Sequence, residues 1–328
     1  ADREIDDEIR EKVSLFCDVE TEAVIPLMTA QSIYEVPLRL EETGLGDLVV
    51  DRLGVHEQVT PPDLSSWRDA VGLLVKPKTQ PPVRIALVGK YVELQDAYTS
   101  VREALTHATL HYERDVEIDW VHSEALERTR NVSSLLAADG IVVPGGFGYR
   151  GIEGKVLAAR TAREERIPYL GLCLGMQVQC IELARHVLGN DEVNSAEFAP
   201  KTRYPVIALM PDQHAISDMG GTMRLGEYPC VLQPGTKVRE AYGVEQVDER
   251  HRHRFEFNNA YRDVLSQGGL VFSGLSPNRR LVEIVELKDH PWMVGTQFHP
   301  EFRTRLQRPH PLFCGLIKAA IERQQARQ

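Results

Sequence analysis

From Ile167 to Leu188 the chain passes from a short apolar run, Ile167-Pro168-Tyr169-Leu170, through Gly171-Leu172-Cys173-Leu174-Gly175, into Met176 to Leu188, where Val178, Ile181, Leu183 and Leu188 suit one face of a helix. This pattern requires a buried strand to end in a sharp turn and a helix to begin at once. A small residue two positions either side of Cys173 permits that turn and pushes the thiol out at the head of the helix. The N–H groups of the first helical turn favour negative charge there, which suits a nucleophile. A buried cysteine in a glycine-punctuated connection fits these five residues equally well, so they do not decide the chemistry alone.

A second segment changes the balance. Trp292-Met293-Val294-Gly295-Thr296-Gln297-Phe298 reads as a strand that delivers His299, and Pro300 stops it so that Glu301 turns back toward the imidazole. A carboxylate on one ring nitrogen fixes the tautomer and leaves the other to take a thiol proton and later protonate leaving ammonia. Cys173, His299 and Glu301 together therefore point to an enzyme acting on a carboxamide. Asp139-Gly140-Ile141-Val142-Val143-Pro144-Gly145-Gly146-Phe147-Gly148 reads as an apolar strand opening into a glycine-rich turn. The backbone N–H groups of Gly146 and Leu174 are the candidate oxyanion donors, each worth on the order of 3 kcal/mol of barrier. An ordinary tight loop or a phosphate cradle is the other reading of Gly145-Gly146, but no G-x-x-x-x-G-K-[ST] occurs in the chain.

The surrounding pattern places these residues on a fold. Strands are predicted at Val83 to Val88, Val116 to Val121 and Ile141 to Val143, with helices at Ala97 to Leu110 and Glu153 to Glu165. The alternation predicts an α/β fold with a doubly wound, mostly parallel sheet. Its ligand crevice lies at the carboxyl ends of the strands, where Gly145-Gly146, Cys173 and His299 fall. Shorter segments after Gly189, at Tyr204 to Met210, Cys230 to Leu232, Leu270 to Ser273 and Leu281 to Glu286, predict added antiparallel strands. Proline pairs at Pro61-Pro62 and Pro81-Pro82 predict a linker over 61–82, between a segment 1–60 and a domain 83–328. A net charge of −10 argues against a general nucleic-acid surface, despite the short basic run from Arg250 to Arg254. Five cysteines, at 17, 173, 180, 230 and 314, lack metal-type spacing and read as reduced thiols in a cytoplasmic protein. No apolar stretch approaches the ~18 residues of a membrane span.

Several words in the chain resemble a known family. Pro144-Gly145-Gly146-Phe147-Gly148, the Gly171-to-Gln177 segment and Phe298-His299-Pro300-Glu301 look like the triad-type (class I) glutamine amidotransferases. Gly89-Lys90-Tyr91-Val92-Glu93-Leu94, Asp96-Ala97-Tyr98, Gly148-Tyr149-Arg150-Gly151, Asn194-Ser195-Ala196-Glu197-Phe198, Gly220 to Gly226 and Glu249-Arg250-His251-Arg252-His253-Arg254 narrow the resemblance to the CTP synthase family. It implies that Cys173 forms a γ-glutamyl thioester, with His299 as acid and base and Glu301 as its partner. Glutamine-binding positions are implied at Gly146, Phe147, Leu174, Gly175, Met176, Gln177, Glu197 and Arg254. The chemistry agrees, because an α-ammonium wants a carboxylate such as Glu197 and an α-carboxylate a guanidinium such as Arg254.

The first residues resemble the end of the family's amidoligase domain, through Glu11 to Val19 and Ser32 to Leu38. The resemblance implies that the rest of that domain, with its phosphate-binding loop and magnesium ligands, lies outside the chain. Lys12 matches a UTP or CTP contact, and Met28-Thr29-Ala30 an ATP contact, though these three depart from the acidic pattern expected there. Lys12 reads equally well as a solvated charge. Arg150, Gly151 and Glu153 are GTP-side candidates. For the full-length enzyme the resemblance implies ATP-dependent amination of UTP to CTP by ammonia from L-glutamine, with magnesium, GTP activation, CTP feedback and a homotetramer. It implies no cofactor in the glutaminase domain and no metal site in this chain. A free-standing amidotransferase subunit, a γ-glutamyl hydrolase and a catalytically silent regulatory module are the rival readings.

Overall fold

The computed structural model describes residues 2–209 and 223–327. Gly220, Gly221 and Thr222 of the glycine-rich word, and Met210 at the end of an expected strand, lie outside the described residues. The chain divides into two compact units, Ala1–Pro77 and Lys78–Gln328.

The first unit is helical. Helix α1 (Asp7–Cys17) starts on Asp6, whose side chain accepts from the Ile9 N–H, and α2 (Val36–Glu42) follows a turn capped by Ser32. Helix α3 (Leu45–Leu53) ends on Gly54 in the left-handed conformation. Helix α4 (Ser65–Val75) lies within 61–82, the stretch read as linker. The proline pairs that suggested extended chain sit outside this helix, whose Trp67 indole donates to the Tyr34 carbonyl and whose Val71 is buried.

The second unit is built on a nine-stranded sheet. Its parallel part runs β2 (Val116–His122), β1 (Val83–Gly89), β3 (Gly140–Val143), β4 (Tyr169–Leu172) and β12 (Met293–Thr296). Strands β3, β4 and β12 are buried along their whole length, as expected of parallel strands covered on both faces. Antiparallel strands extend the sheet beyond β12, in the order β11 (Val282–Leu287), β10 (Leu270–Leu275), β7 (Arg224–Leu232) and β8 (Gln246–His253). Strand β7 is far longer than the apolar run Cys230 to Leu232 suggested. It is amphipathic and pairs with β8 along nearly its whole length, so charged residues such as Arg224 and Glu227 belong to a strand. A small second sheet joins β5 (Asn194–Ser195), β6 (Pro205–Ala208) and β9 (Glu256–Phe257).

Helices cover both faces. On one, α5 (Thr99–Leu110), α10 (Lys237–Tyr242) and α12 (Pro311–Ala326) border a core that includes Leu87, Leu105, Phe298 and Phe313. On the other, α6 (Ser123–Thr129), α7 (Ser133–Ala137), α8 (Ile152–Glu164), α9 (Leu174–Leu188) and α11 (Arg262–Gln267) enclose Val143, Val156, Tyr169 and Met176. The carboxyl ends of β3, β4 and β12, three neighbouring strands, open into one crevice, the position where open α/β sheets bind ligands.

Candidate active site

Cys173 occupies the single-residue step between β4 and α9, with φ 52° and ψ −98°. A non-glycine residue at positive φ costs on the order of 1–3 kcal/mol, and such strain is tolerated where surrounding packing enforces it. Here the enforcement is visible. A Cβ at Gly171 would lie 2.5 Å from the Gly175 carbonyl carbon, and one at Gly175 would collide with the Val143 carbonyl oxygen. The Tyr169 hydroxyl donates to the Gly175 carbonyl across the turn (2.8 Å). The two glycines are thus required by close backbone approach, and the thiol is held at the helix head.

The parallel pairing of β4 with β12 brings the second half of the site into register. The Cys173 N–H donates to the Thr296 carbonyl (2.6 Å), which places His299 three residues past the elbow's partner. The His299 N–H donates to the Arg250 carbonyl (2.8 Å), and its Nδ1 lies 2.8 Å from Glu301 Oε1. Phe302 stacks on the imidazole, with ring centroids 5.4 Å apart. At Gly145 a Cβ would stand 2.8 Å from His299 Cε1. Burial alone would lower the imidazole's pKa. The negative charge of Glu301 and hydrogen bonds with Cys173 and Glu301 outweigh it and raise it to about 10. With Nδ1 committed to Glu301, the other ring nitrogen is the one available to the thiol.

In front of the thiol lies a cavity of about 70 Å³, lined by Gly146, Phe147, Gln177, Glu197, Arg254 and His253 among others. At roughly 10–15 Å³ per water, this space holds about five to seven waters and is far too small for a nucleoside triphosphate. Glu197 accepts from the Gly148 N–H (3.2 Å). Burial raises its pKa, an effect opposed by that N–H bond and by the charges of Arg254 and Lys90. A carboxylate and a guanidinium therefore share one wall region of a small pocket whose floor is a thiol.

Six of the residues expected at the site line this cavity or form its floor: Gly146, Phe147, Cys173, Gln177, Glu197 and Arg254. Leu174, Gly175 and Met176 do not. Leu174 is 2% exposed and opens α9, so only its backbone N–H is positioned to contribute. Gly175 packs on Val143, and Met176 is fully buried against Gly295, because residues following the elbow turn into the core. Four positions were missed: Gln297, and Met223, His253 and Phe255 of the cavity lining. Gln297 is buried and its Nε2 donates to Cys173 Sγ (3.7 Å), while its Oε1 accepts from Gln177 (3.3 Å). His253 and Phe255 line the cavity from the segment that begins in β8. A polar residue inside an otherwise apolar strand was the available signal for Gln297. For Phe255 there was none.

The nucleotide-side candidates lie elsewhere. Arg150 pairs with Glu124 (3.2 Å), and Glu153 holds Arg185 through two contacts of 2.7 and 2.9 Å. Gly151 caps α8 at φ 70°. These three stabilise the start of α8, and Glu153 is occupied by Arg185. On the far side of His299 an open cleft of about 490 Å³ carries Arg250, Arg252, Arg303 and Arg305. In the first unit, Lys12 Nζ meets Glu8 Oε1 at 2.5 Å across one helical turn. Thr29 donates to Asp2 (2.5 Å), and Arg39 donates to the Met28 carbonyl (3.4 Å). Among the described residues no group of three or more His, Cys, Asp or Glu could hold a metal ion, and no helix is long and apolar enough to cross a membrane.

Comparison with known proteins agrees with this geometry. Residues 93–319 match the family model described as glutamine amidotransferase class-I, and residues 1–55 match that of the CTP synthase N-terminus. A CTP synthase of Dehalococcoides mccartyi is 59% identical over 320 residues, which is 98% of this chain and 58% of that protein. One from Chloroflexus aurantiacus is 60% identical over 322 residues, again 98% of this chain and 58% of the relative. The chain thus spans somewhat more than half the length of the curated relatives it matches. Among solved structures, the glutaminase domain of Trypanosoma brucei CTPS with bound acivicin aligns with a TM-score of 0.69 at 38% identity, over 73% of this chain and 94% of that one. The chain belongs to the class-I glutamine amidotransferases and, within them, to the CTP synthase family.

Proposed function

We propose that this chain hydrolyses L-glutamine and that, within the longer protein, the ammonia aminates UTP to CTP. The observation that carries the first part is the small cavity that brings Cys173 together with Glu197 and Arg254. The substrate's α-ammonium meets Glu197 and its α-carboxylate Arg254, which places the carboxamide over the thiol. His299 takes the thiol proton as Sγ attacks the amide carbon. Backbone N–H groups of Gly146 and Leu174 receive the oxyanion, the term that usually contributes most to such a reaction. His299 then returns the proton to the leaving nitrogen, ammonia departs, and water attacks the thioester to release glutamate with His299 acting again as base. Glu301 holds the ring in one tautomer through both transfers.

The second part rests on the likeness to curated CTP synthases over nearly the whole chain. ATP would activate the O4 of UTP for displacement by ammonia. The ATP, UTP and magnesium contacts, GTP activation, CTP feedback, the tetramer and a cytoplasmic location are further parts of the same proposal. Of the proposed nucleotide contacts, Lys12 and Met28 lie in the first unit, with Met28 at the edge of an open groove beside Leu38 and Val71.

The test is ammonia release from glutamine by the wild-type chain and by Cys173→Ala. Wild-type turnover with none in Cys173→Ala is the expected result. Release that survives in the variant overturns the mechanism. In the full-length protein, Cys173→Ala should still form CTP when ammonia is supplied directly.

A further inference from the structure

Lys155 is unusual among the charged residues of this chain. It lies on α8, is 1% exposed, and its side-chain amine makes no hydrogen bond or ion pair among the described residues. Burying an amine without an acceptor is costly, so such a group needs a compensating charge or a reason to be neutral. Its position supplies the reason. A Cβ added to Gly146 would stand 3.6 Å from Lys155 Nζ and 3.5 Å from Leu174 Cδ2. The amine therefore sits against the glycine turn that borders the cavity in front of the thiol. A second amine flanks the same turn: Lys90 donates from its Nζ to the Phe147 carbonyl, and its Cε would stand 4.0 Å from that Cβ.

Burial and the like charge of Lys90 push Lys155 down to about 7, while negative charge at Cys173 acts in the opposite direction. Those two are the charged groups that act on it. The neighbouring charges on α8 and the helices beside it are engaged with one another: Glu153 with Arg185, Arg163 with Glu182, and Arg150 with Glu124. No fixed anion is assigned to Lys155. Glu197, the carboxylate of this pocket, faces Arg254 and Lys90, and the negative charge that acts on Lys155 is the one that forms at Cys173.

We propose that Lys155 is a positioning residue for the glutaminase reaction, its buried amine supplying positive charge behind the Gly146 turn whenever negative charge develops at Cys173 or on the substrate oxygen. This rests on the glutaminase reading of the site. It differs from the oxyanion donors in acting through space rather than by contact, and in being able to take up a proton as the charge forms. At an effective dielectric near 20, a unit charge changes such an equilibrium about tenfold from roughly 12 Å away, and by more from nearer.

Two measurements test it, one of which needs no turnover. First, Lys155→Met is compared with the wild-type chain for alkylation of Cys173 by iodoacetamide and for ammonia release, each across pH 6 to 9, with a thermal melt as the folding control. Alkylation at neutral pH should slow on the order of tenfold, with its half-maximal pH displaced upward, and kcat should fall at least as far while KM stays within about threefold. Second, NMR of ¹⁵N-lysine-labelled protein follows the Lys155 amine in wild type and in Cys173→Ala, which remains informative if Lys155→Met does not fold. Removing the thiol should lower the pH at which Lys155 titrates. An unchanged alkylation profile in a folded Lys155→Met chain, or an unmoved Lys155 midpoint in Cys173→Ala, overturns the proposal. A wild-type chain that releases no ammonia overturns the glutaminase reading instead and leaves both other readouts in place.

Discussion

Gly145→Ala isolates the contribution of imidazole placement from that of folding. Gly145 is not among the glycines at positive φ, so an alanine meets no backbone strain there. Its Cβ, however, would stand 2.8 Å from His299 Cε1, about 0.6 Å inside the 3.4 Å at which ordinary contact begins. The ring cannot simply retreat. Phe302 stacks on it at 5.4 Å, and Nδ1 is held at 2.8 Å by Glu301. Moving away from the new methyl must therefore stretch the Glu301 hydrogen bond, rotate the ring away from the thiol, or both. Displacements approaching 1 Å at a reacting group cost on the order of 100-fold in rate, or about 2.7 kcal/mol of barrier. Stability should fall by about 1–2 kcal/mol, because the alanine restricts the unfolded chain by about 0.4–1 kcal/mol while local overpacking costs about 1–3 kcal/mol. The assay is kcat for ammonia release beside a thermal melt. A folded Gly145→Ala chain with kcat within threefold of wild type would refute the claim that this contact sets the geometry of His299.

Glu301→Gln keeps the side chain's shape but removes the charge that lifts His299 to about 10. Ammonia release should fall on the order of 100-fold or more, and the imidazole, followed by NMR, should titrate well below its wild-type value. An unshifted imidazole would show that Glu301 is not what holds the proton. Stability should depend on pH from both sides. The raised pKa of His299 gives stability that is fully present below about 6.5 and is lost as pH climbs through about 10. His251, His253 and His290 act in the opposite sense. Burial above all lowers them to about 2, 3 and 4, so the unfolded chain takes up protons below about 6.5 that the folded chain refuses. The melting temperature should therefore decline on acidification below pH 6.5 and again toward pH 10. A flat profile between pH 4.5 and 7 would contradict the burial of these three rings.

Much of the site could be read along the chain because its parts are local. The elbow is legible since glycines at 171 and 175 and an apolar run before them are all that a strand–turn–helix needs, and the structure returns that element. His299 and Glu301 are two residues apart, so proline at 300 was enough to suggest that they face each other. The expected linker is a different case. Ser65–Val75 folds as a helix because Val71 and Trp67 find partners that no proline count reveals. Met176 shows the same limit: its place beside the nucleophile in sequence says nothing of the core it enters.

By itself the sequence determined the kind of chemistry: a thiol at a helix head, an imidazole with its carboxylate, and a charged pair suited to the two ends of an amino acid. Tertiary structure decided which residues share the pocket, because the parallel pairing of β4 with β12 sets the register that aligns Cys173 with His299. It also decided which residues tune it. Gln297 reaches the thiol, Lys155 lies against the Gly146 turn, and Gly145 leaves room for the ring. These relations join segments far apart in the chain. They arise from distances and burial, which no short-range pattern of residues encodes.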